Sequence, residues 1–204
     1  MKKIGIYGGT FSPPHMGHIR AAELFIKSRG LDELHIIPTY QPPHKIEDEG
    51  AKPEDRLSMC KLAFGHIDGV TVSDREILRG GKSYSVLTLR EYAEMGIHPE
   101  MLVGTDMLLT LEAWYAFEEI LSLATIVCMR RERDKQKGEA LSIIAERLTR
   151  RYDASIIFLN GDVTEVSSSE LRAALHESEK RSTLLPPDIY DYIVSRNLYG
   201  ISHK

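Results

Sequence analysis

The sequence predicts an α/β fold: a mostly parallel sheet with helices packed on both faces. Three observations carry that expectation. Short β-rich runs at 4–7, 34–38, 101–104 and 124–129 are predominantly apolar, as strands are when both faces of a sheet are covered. Between them lie stretches whose apolar residues recur at helical spacing. The two kinds of segment alternate along the chain, and right-handed crossovers then leave few topologies. The doubly wound, Rossmann-like sheet is the natural one. A chain of 204 residues is best read as one domain, 1–204.

The elements follow in order. Ile4-Gly5-Ile6-Tyr7 is a buried strand, and residues 19–27 form a helix with Ile19, Ala22 and Ile26 on one face. A second strand at 34–38 stops at Pro38. Residues 39–53 make a polar segment too long for a simple connection, so a functional loop or lid is expected there. A helix over 56–64 precedes a short strand at 70–72 and an amphipathic helix at 85–95. The strand at 101–104 runs through Gly104-Thr105-Asp106 into a helix carrying Leu108, Leu111 and Trp114. After the strand at 124–129 come a charged stretch at 130–137, a helix at 139–150 and a strand at 155–159. Helices at 168–177 and 187–196 end the chain. Internal repeats and low-complexity segments are absent from the sequence.

Composition excludes several classes. A net charge of -4 gives no electrostatic reason to expect a nucleic-acid partner. No window approaches the roughly 20 apolar residues of a membrane span, and the N-terminal apolar run is too short for a signal peptide. Cys60 and Cys128 lie far apart, outside any Cys-x-x-Cys pattern, and read as small buried hydrophobes in a reducing compartment. A cytoplasmic location is the simplest expectation. The oligomeric state is left open, a homo-oligomer included.

The chemistry concentrates between the first strand and the first helix, in Gly8-Gly9-Thr10-Phe11-Ser12-Pro13-Pro14-His15-Met16-Gly17-His18. Glycines let backbone approach an anion, and a helix N-terminus offers free N–H groups with a favourable dipole. The segment is neither a Gly-x-Gly-x-x-Gly fingerprint nor a Walker A loop. Its distinguishing feature is two imidazoles, His15 and His18, one turn apart and facing the phosphates that such a loop would cradle. The plainer reading is a strand-to-helix turn with surface histidines; it explains the glycines and leaves the clustered Thr10, paired prolines and paired histidines unexplained. Downstream, Ser167-Ser168-Ser169-Glu170-Leu171-Arg172 has capping-box spacing at Ser167 and Glu170. Ser168, Ser169 and the Arg172 fork are suited to a polyphosphate at a second helix start.

The first of these segments resembles the HxGH signature of the nucleotidylyltransferase superfamily, and the second resembles that superfamily's Ser-Ser-Ser/Thr-x-Ile-Arg element. Together with Gln41-Pro42-Pro43-His44-Lys45, Gly104-x-Asp106, Trp114 and Ser83-Tyr84-Ser85-x-x-Thr88, the sequence most resembles bacterial nicotinate-nucleotide adenylyltransferases, over essentially residues 4–199. It departs from their pattern at Ser12, Ser85 and Leu87. The resemblance implies transfer of an adenylyl group from ATP to nicotinate mononucleotide, giving nicotinate adenine dinucleotide and pyrophosphate in NAD biosynthesis. It further implies charge stabilisation by His15, His18, Lys45 and Arg172, and phosphate contacts from Gly8, Gly9, Thr10, Phe11, Ser168 and Ser169. Ribose would be held at Gly104 and Asp106, and the pyridine ring at Ser85, Thr88, Trp114 and Tyr115. Mg2+ would be bound chiefly through the ATP phosphates, since no carboxylate cluster offers a protein cage.

On residues alone Trp114 reads more readily as core than as a stacking platform, and Asp106 as a helix N-cap. Two rivals stay in view. Pantetheine-phosphate adenylyltransferases and cytidylyltransferases resemble the chain at both phosphate segments but lack the Pro-Pro-His-Lys and tryptophan features. A non-catalytic nucleotide sensor would not need both histidines.

Overall fold

One strand, β1 (Ile4–Gly9), sits at the centre of a six-stranded parallel sheet, paired with β2 (Glu33–Pro38) on one side and β4 (Glu100–Gly104) on the other. The structure, a computed structural model, describes residues 2–43, 50–130, 137–161, 167–175 and 184–201. With β3 (Val70–Val72), β5 (Thr125–Arg130) and β6 (Ile156–Asn160), the strand order is β3-β2-β1-β4-β5-β6. The doubly wound α/β expectation is met. The order reverses direction between β1 and β4, and in such sheets the crevice beyond the strands' carboxyl ends at that point receives the ligand.

Helices α1 (Met16–Arg29) and α2 (Pro53–Phe64) cover one face, through Ile19, Phe25, Met59 and Phe64. Helices α4 (Ser85–Glu94), α6 (Phe117–Leu123) and α7 (Gly138–Tyr152) cover the other, through Val86, Leu89, Ile120 and Leu141. Two further helices, α8 (Ser168–Ala174) and α9 (Pro187–Ser195), add Leu171, Ile189 and Ile193 to the first core. Cys60 and Cys128 are free and buried. Among the described residues no helix is long and apolar enough to cross a membrane.

The expected helix running through Leu108, Leu111 and Trp114 is broken. It becomes α5 (Thr105–Leu109) and a 3-10 turn at Leu111–Ala113, after which Trp114 is extended at φ -77° and ψ 147°. At the end of α5 the Thr110 hydroxyl and N–H both donate back to the Asp106 carbonyl, the hydroxyl at 2.9 Å. Residues three apart eclipse in a 3-10 turn, so Leu108 and Leu111 stay buried on one side although the α-helix has ended. Trp114 stays packed against the second core but is only half-buried, and it also lines the cavity described below. Two short helices escaped the sequence reading: α3 (Arg75–Arg79) and α6.

Candidate active site

The turn leaving β1 is the centre of the site, and packing holds it in an unusual shape. Phe11 has φ 50°, in the left-handed region that costs a non-glycine residue energy unless its surroundings enforce it. They do: its ring stacks edge-on against Tyr7 and Phe64 and lies 5.1 Å from the His18 ring. At 2% exposure Phe11 is a core residue, and it does not line the cavity described below. Gly9 lies flat against the same ring; a Cβ there would come within 3.1 Å of it.

His15 and His18 form a reciprocal cap on α1. The His15 Nδ1 accepts from the Gly17 N–H at 3.1 Å, and the His18 Nδ1 accepts from the His15 N–H at 3.3 Å. The imidazoles thus do the work usually done by serine and glutamate in a capping box. Their ring centroids are 3.7 Å apart. Because Nδ1 of each ring accepts, the neutral tautomer of each carries its proton on Nε2.

The far segment closes on this turn. Ser167 and Glu170 make the expected capping box on α8. Ser168 Oγ donates to the Pro13 carbonyl at 3.2 Å, and Arg172 donates from Nη1 to the Ser12 carbonyl and from Nη2 to the Ser169 hydroxyl. Two further groups brace the turn and were not legible as site residues. Buried Arg56, from α2, donates to the carbonyls of Thr10 and Tyr40 at 2.8 and 2.9 Å. The Ser12 hydroxyl, fully buried, lies 3.1 Å from the hydroxyl of Tyr199 in the C-terminal 3-10 turn Leu198–Gly200. Ser12, one of the family departures, therefore has a partner.

Beside the turn is a cavity of about 220 Å³. Gly8, Gly9 and Thr10 form one wall; Ser85, Thr88, Trp114 and Tyr115 form another. Pro42 and Pro43 also line it. The Tyr40 N–H donates to the Ser83 hydroxyl at 2.8 Å, which ties the loop after β2 to the start of α4. Lys45 lies outside the described residues, as do 44–49 generally, so the expected lid is described only at its edges. Tyr115 is 58% exposed, its ring 4.8 Å from that of Tyr84 at the mouth.

Gly104 and Asp106 stand apart from the cavity lining. Gly104, not Asp106, is the N-cap of α5. The Asp106 side chain is exposed and paired with Lys137 at 2.6 Å. At the same rim Arg130 stacks over Phe158, 3.7 Å from its centroid. Among the described residues no group of three His, Cys, Asp or Glu could hold a metal ion.

The cavity also has an acid on its wall that sequence reasoning missed. Glu76, on α3, is only 6% exposed. Thr88 donates to its Oε1 at 2.7 Å, and Arg79 donates to the Thr88 hydroxyl at 3.0 Å. Burial pushes its carboxyl above the ordinary range, against the opposing effects of Thr88, Ser83 and Arg79. Asp74, Arg75 and Glu76 are three consecutive charged residues, and nothing in that run signals this placement.

The cytidylyltransferase-like family model matches residues 6–174. The chain is 37% identical to a probable nicotinate-nucleotide adenylyltransferase of Methylococcus capsulatus, covering 97% of this chain and 99% of that one. It is 33% identical to the corresponding protein of Halalkalibacterium halodurans, over 98% and 92%. In three dimensions it is similar to Plasmodium falciparum nicotinic acid mononucleotide adenylyltransferase complexed with NaAD, with a TM-score of 0.77 at 18% identity and 98% coverage of both chains. At that identity the match speaks for the fold.

Proposed function

The chain belongs to the cytidylyltransferase-like family, among its nicotinate-nucleotide adenylyltransferases, and from that premise we infer that it joins nicotinate mononucleotide to ATP, releasing pyrophosphate. The product is nicotinate adenine dinucleotide, a step of NAD biosynthesis. The observation that carries this reading is the closure of the Ser168–Arg172 segment on the backbone of the His15/His18 turn, whose Gly8, Gly9 and Thr10 wall a cavity also lined by Trp114. Residues 1–204 are read as one nucleotidylyltransferase domain.

The substrate brings its own nucleophile. Its 5′-phosphate oxygen attacks the α-phosphorus of ATP as the bond to pyrophosphate breaks, so the protein must position two phosphates and stabilise charge as it moves. In this reading His15 and His18 donate from Nε2 to the transferring phosphoryl group. Their Nδ1 atoms, occupied by backbone N–H groups, support that tautomer. Gly8, Gly9 and Thr10 bring backbone close to phosphate, while Arg172, Ser168 and Ser169 hold the leaving pyrophosphate, with Lys45 adding charge. Phe11 serves by shaping the turn. Asp106 is assigned to a ribose of the adenosine, and its ion pair with Lys137 would give way to, or be shared with, that ligand.

Trp114 stacks on the pyridine ring in this assignment, with Ser85, Thr88 and Tyr115 around it. Backbone N–H groups at Ser85 and Tyr115 are suited to a ring carboxylate because they donate and cannot accept. Mg2+, held chiefly by the ATP phosphates, would supply further charge neutralisation. The test is pyrophosphate release from ATP and Mg2+ with a panel of mononucleotides and phosphopantetheine. Nicotinate mononucleotide should be the preferred acceptor, and preference for phosphopantetheine would overturn the reading.

A further inference from the structure

An acid on the wall of a cavity meant for an anion needs a physical account. Glu76 Oε2 is buried and has no hydrogen-bond partner among the described residues. The other oxygen, Oε1, takes the Thr88 hydroxyl. Ser83 faces the same carboxyl without completing a bond to Oε2. The cations near Glu76 are committed elsewhere. Arg79, on its own helix, donates to Glu91 at 2.6 and 2.9 Å and to Thr88. Arg75 pairs with Glu91 at 3.2 Å and covers the Tyr92 ring. Glu91, on α4, adds a negative charge that disfavours ionisation of Glu76. On β2 the titratable neighbour of this network is His35, bonded to the Tyr92 hydroxyl; burial holds it below its ordinary value and hence neutral at and above pH 7.

We propose that Glu76 is a specificity-determining residue for the mononucleotide: neutral, it allows the cavity to accept a ring carboxylate, and ionised, it repels that group and favours a carboxamide. The inference rests on the reading that nicotinate mononucleotide is the acceptor and that its ring enters this cavity. A second negative charge placed in a dry cavity is strongly opposed, since charges interact far more strongly there than in water. Either the carboxylate stays out or Glu76 holds its proton. Binding the acid therefore raises the affinity of Glu76 for a proton, by reciprocal linkage between the two sites. A carboxamide makes no such demand.

Three consequences separate this role from a merely structural one. First, the ratio of kcat/KM for nicotinate over nicotinamide mononucleotide should fall about tenfold or more as pH rises through the raised titration of Glu76. Titration of the 5′-phosphate and of ATP cancels in that ratio because both acceptors share them. Second, Glu76→Gln, which is isosteric and always neutral, should keep the acid preference and flatten the pH dependence. Third, calorimetry in buffers of different ionisation enthalpy should show proton uptake on binding the acid on the alkaline side of the Glu76 titration, none on binding the amide, and none with E76Q. Thermal melts of the two proteins confirm that both are folded. A flat wild-type ratio, a parallel fall in E76Q, or acid binding without proton uptake overturns the inference. Turnover with a flat ratio overturns it alone, whereas failure of the chain to release pyrophosphate with either mononucleotide overturns the reaction reading as well.

Discussion

Arg172 donates from Nη1 to the carbonyl oxygen of Ser12 at 2.7 Å, across 160 residues of sequence. The same fork reaches the Ser169 hydroxyl, so one guanidinium joins α8 to the backbone of the turn after β1. Arg172→Ala should lower kcat/KM for ATP by about tenfold or more, since charge-assisted contacts are worth about 1.5–3 kcal/mol. Its effect on stability should be smaller, about 1 kcal/mol, because the side chain is only half-buried. Initial rates and thermal melts on the same preparation check both. A large stability loss with unchanged ATP kinetics would reduce Arg172 to a tether.

His15 has two separable duties, capping α1 and facing phosphate. His15→Ala should cost about 1 kcal/mol from the lost cap and lower kcat about 100-fold from the lost donor. His15→Asn restores a good cap and should recover the melting temperature without recovering kcat. His18→Ala should lower kcat similarly. A folded double mutant with near-normal kcat would remove the imidazoles from the chemistry.

Trp114 is half-buried on the cavity wall, and its proposed stacking does not distinguish an acid from an amide. Trp114→Ala should raise KM for nicotinate and nicotinamide mononucleotides together and leave the preference between them nearly unchanged. Wild type should favour the acid by about 100-fold or more, because a carboxamide NH2 turned toward two backbone donors leaves polar groups unpaired at about 1–3 kcal/mol each. Competition of the two acceptors for limiting enzyme measures the ratio directly.

At the opposite rim, buried Glu100 takes a bidentate contact from Arg29 at 2.7 and 2.9 Å and a further ion pair from Lys3 at 3.1 Å. Burial alone would raise its pKa, but the hydrogen bonds of Arg29 and Lys3 outweigh it and the net direction is down. A depressed folded-state value stabilises the fold above the unfolded value, and that contribution is lost as pH falls through the folded one. Arg29→Ala should therefore destabilise by about 2 kcal/mol at pH 7, with the difference from wild type shrinking in acid below the ordinary carboxylate range. Urea midpoints at pH 7 and pH 3 report the sign; a gap that widens in acid would contradict it.

Much of the fold was legible because buried parallel strands leave long apolar runs and amphipathic helices leave spaced ones. The capping box at Ser167 and Glu170 could be read for the same reason, since it is a local rule acting over three residues. What escaped was set by tertiary context. The left-handed Phe11 is enforced by rings from three other positions, and the 3-10 turn that leaves Trp114 extended interrupts a run whose spacing alone reads as continuous helix. Glu76 shows the limit most clearly: a charge between Arg75 and Ile77 has no sequence signature of burial, and only the fold places it on a cavity wall. Ser12 likewise has meaning only once Tyr199 is beside it.

That last contact spans 187 residues and gives the site a calendar. A ribosome makes the turn after β1 well before the groups that clamp it from α8 and from the 3-10 turn holding Tyr199. At about 5–20 residues per second, the turn waits about 10–40 s for Tyr199. During that interval a nascent chain can pair β1 with β2 but lacks the Arg172 and Tyr199 contacts that close the phosphate side. The phosphate side of the site is thus completed only after Tyr199 has been made.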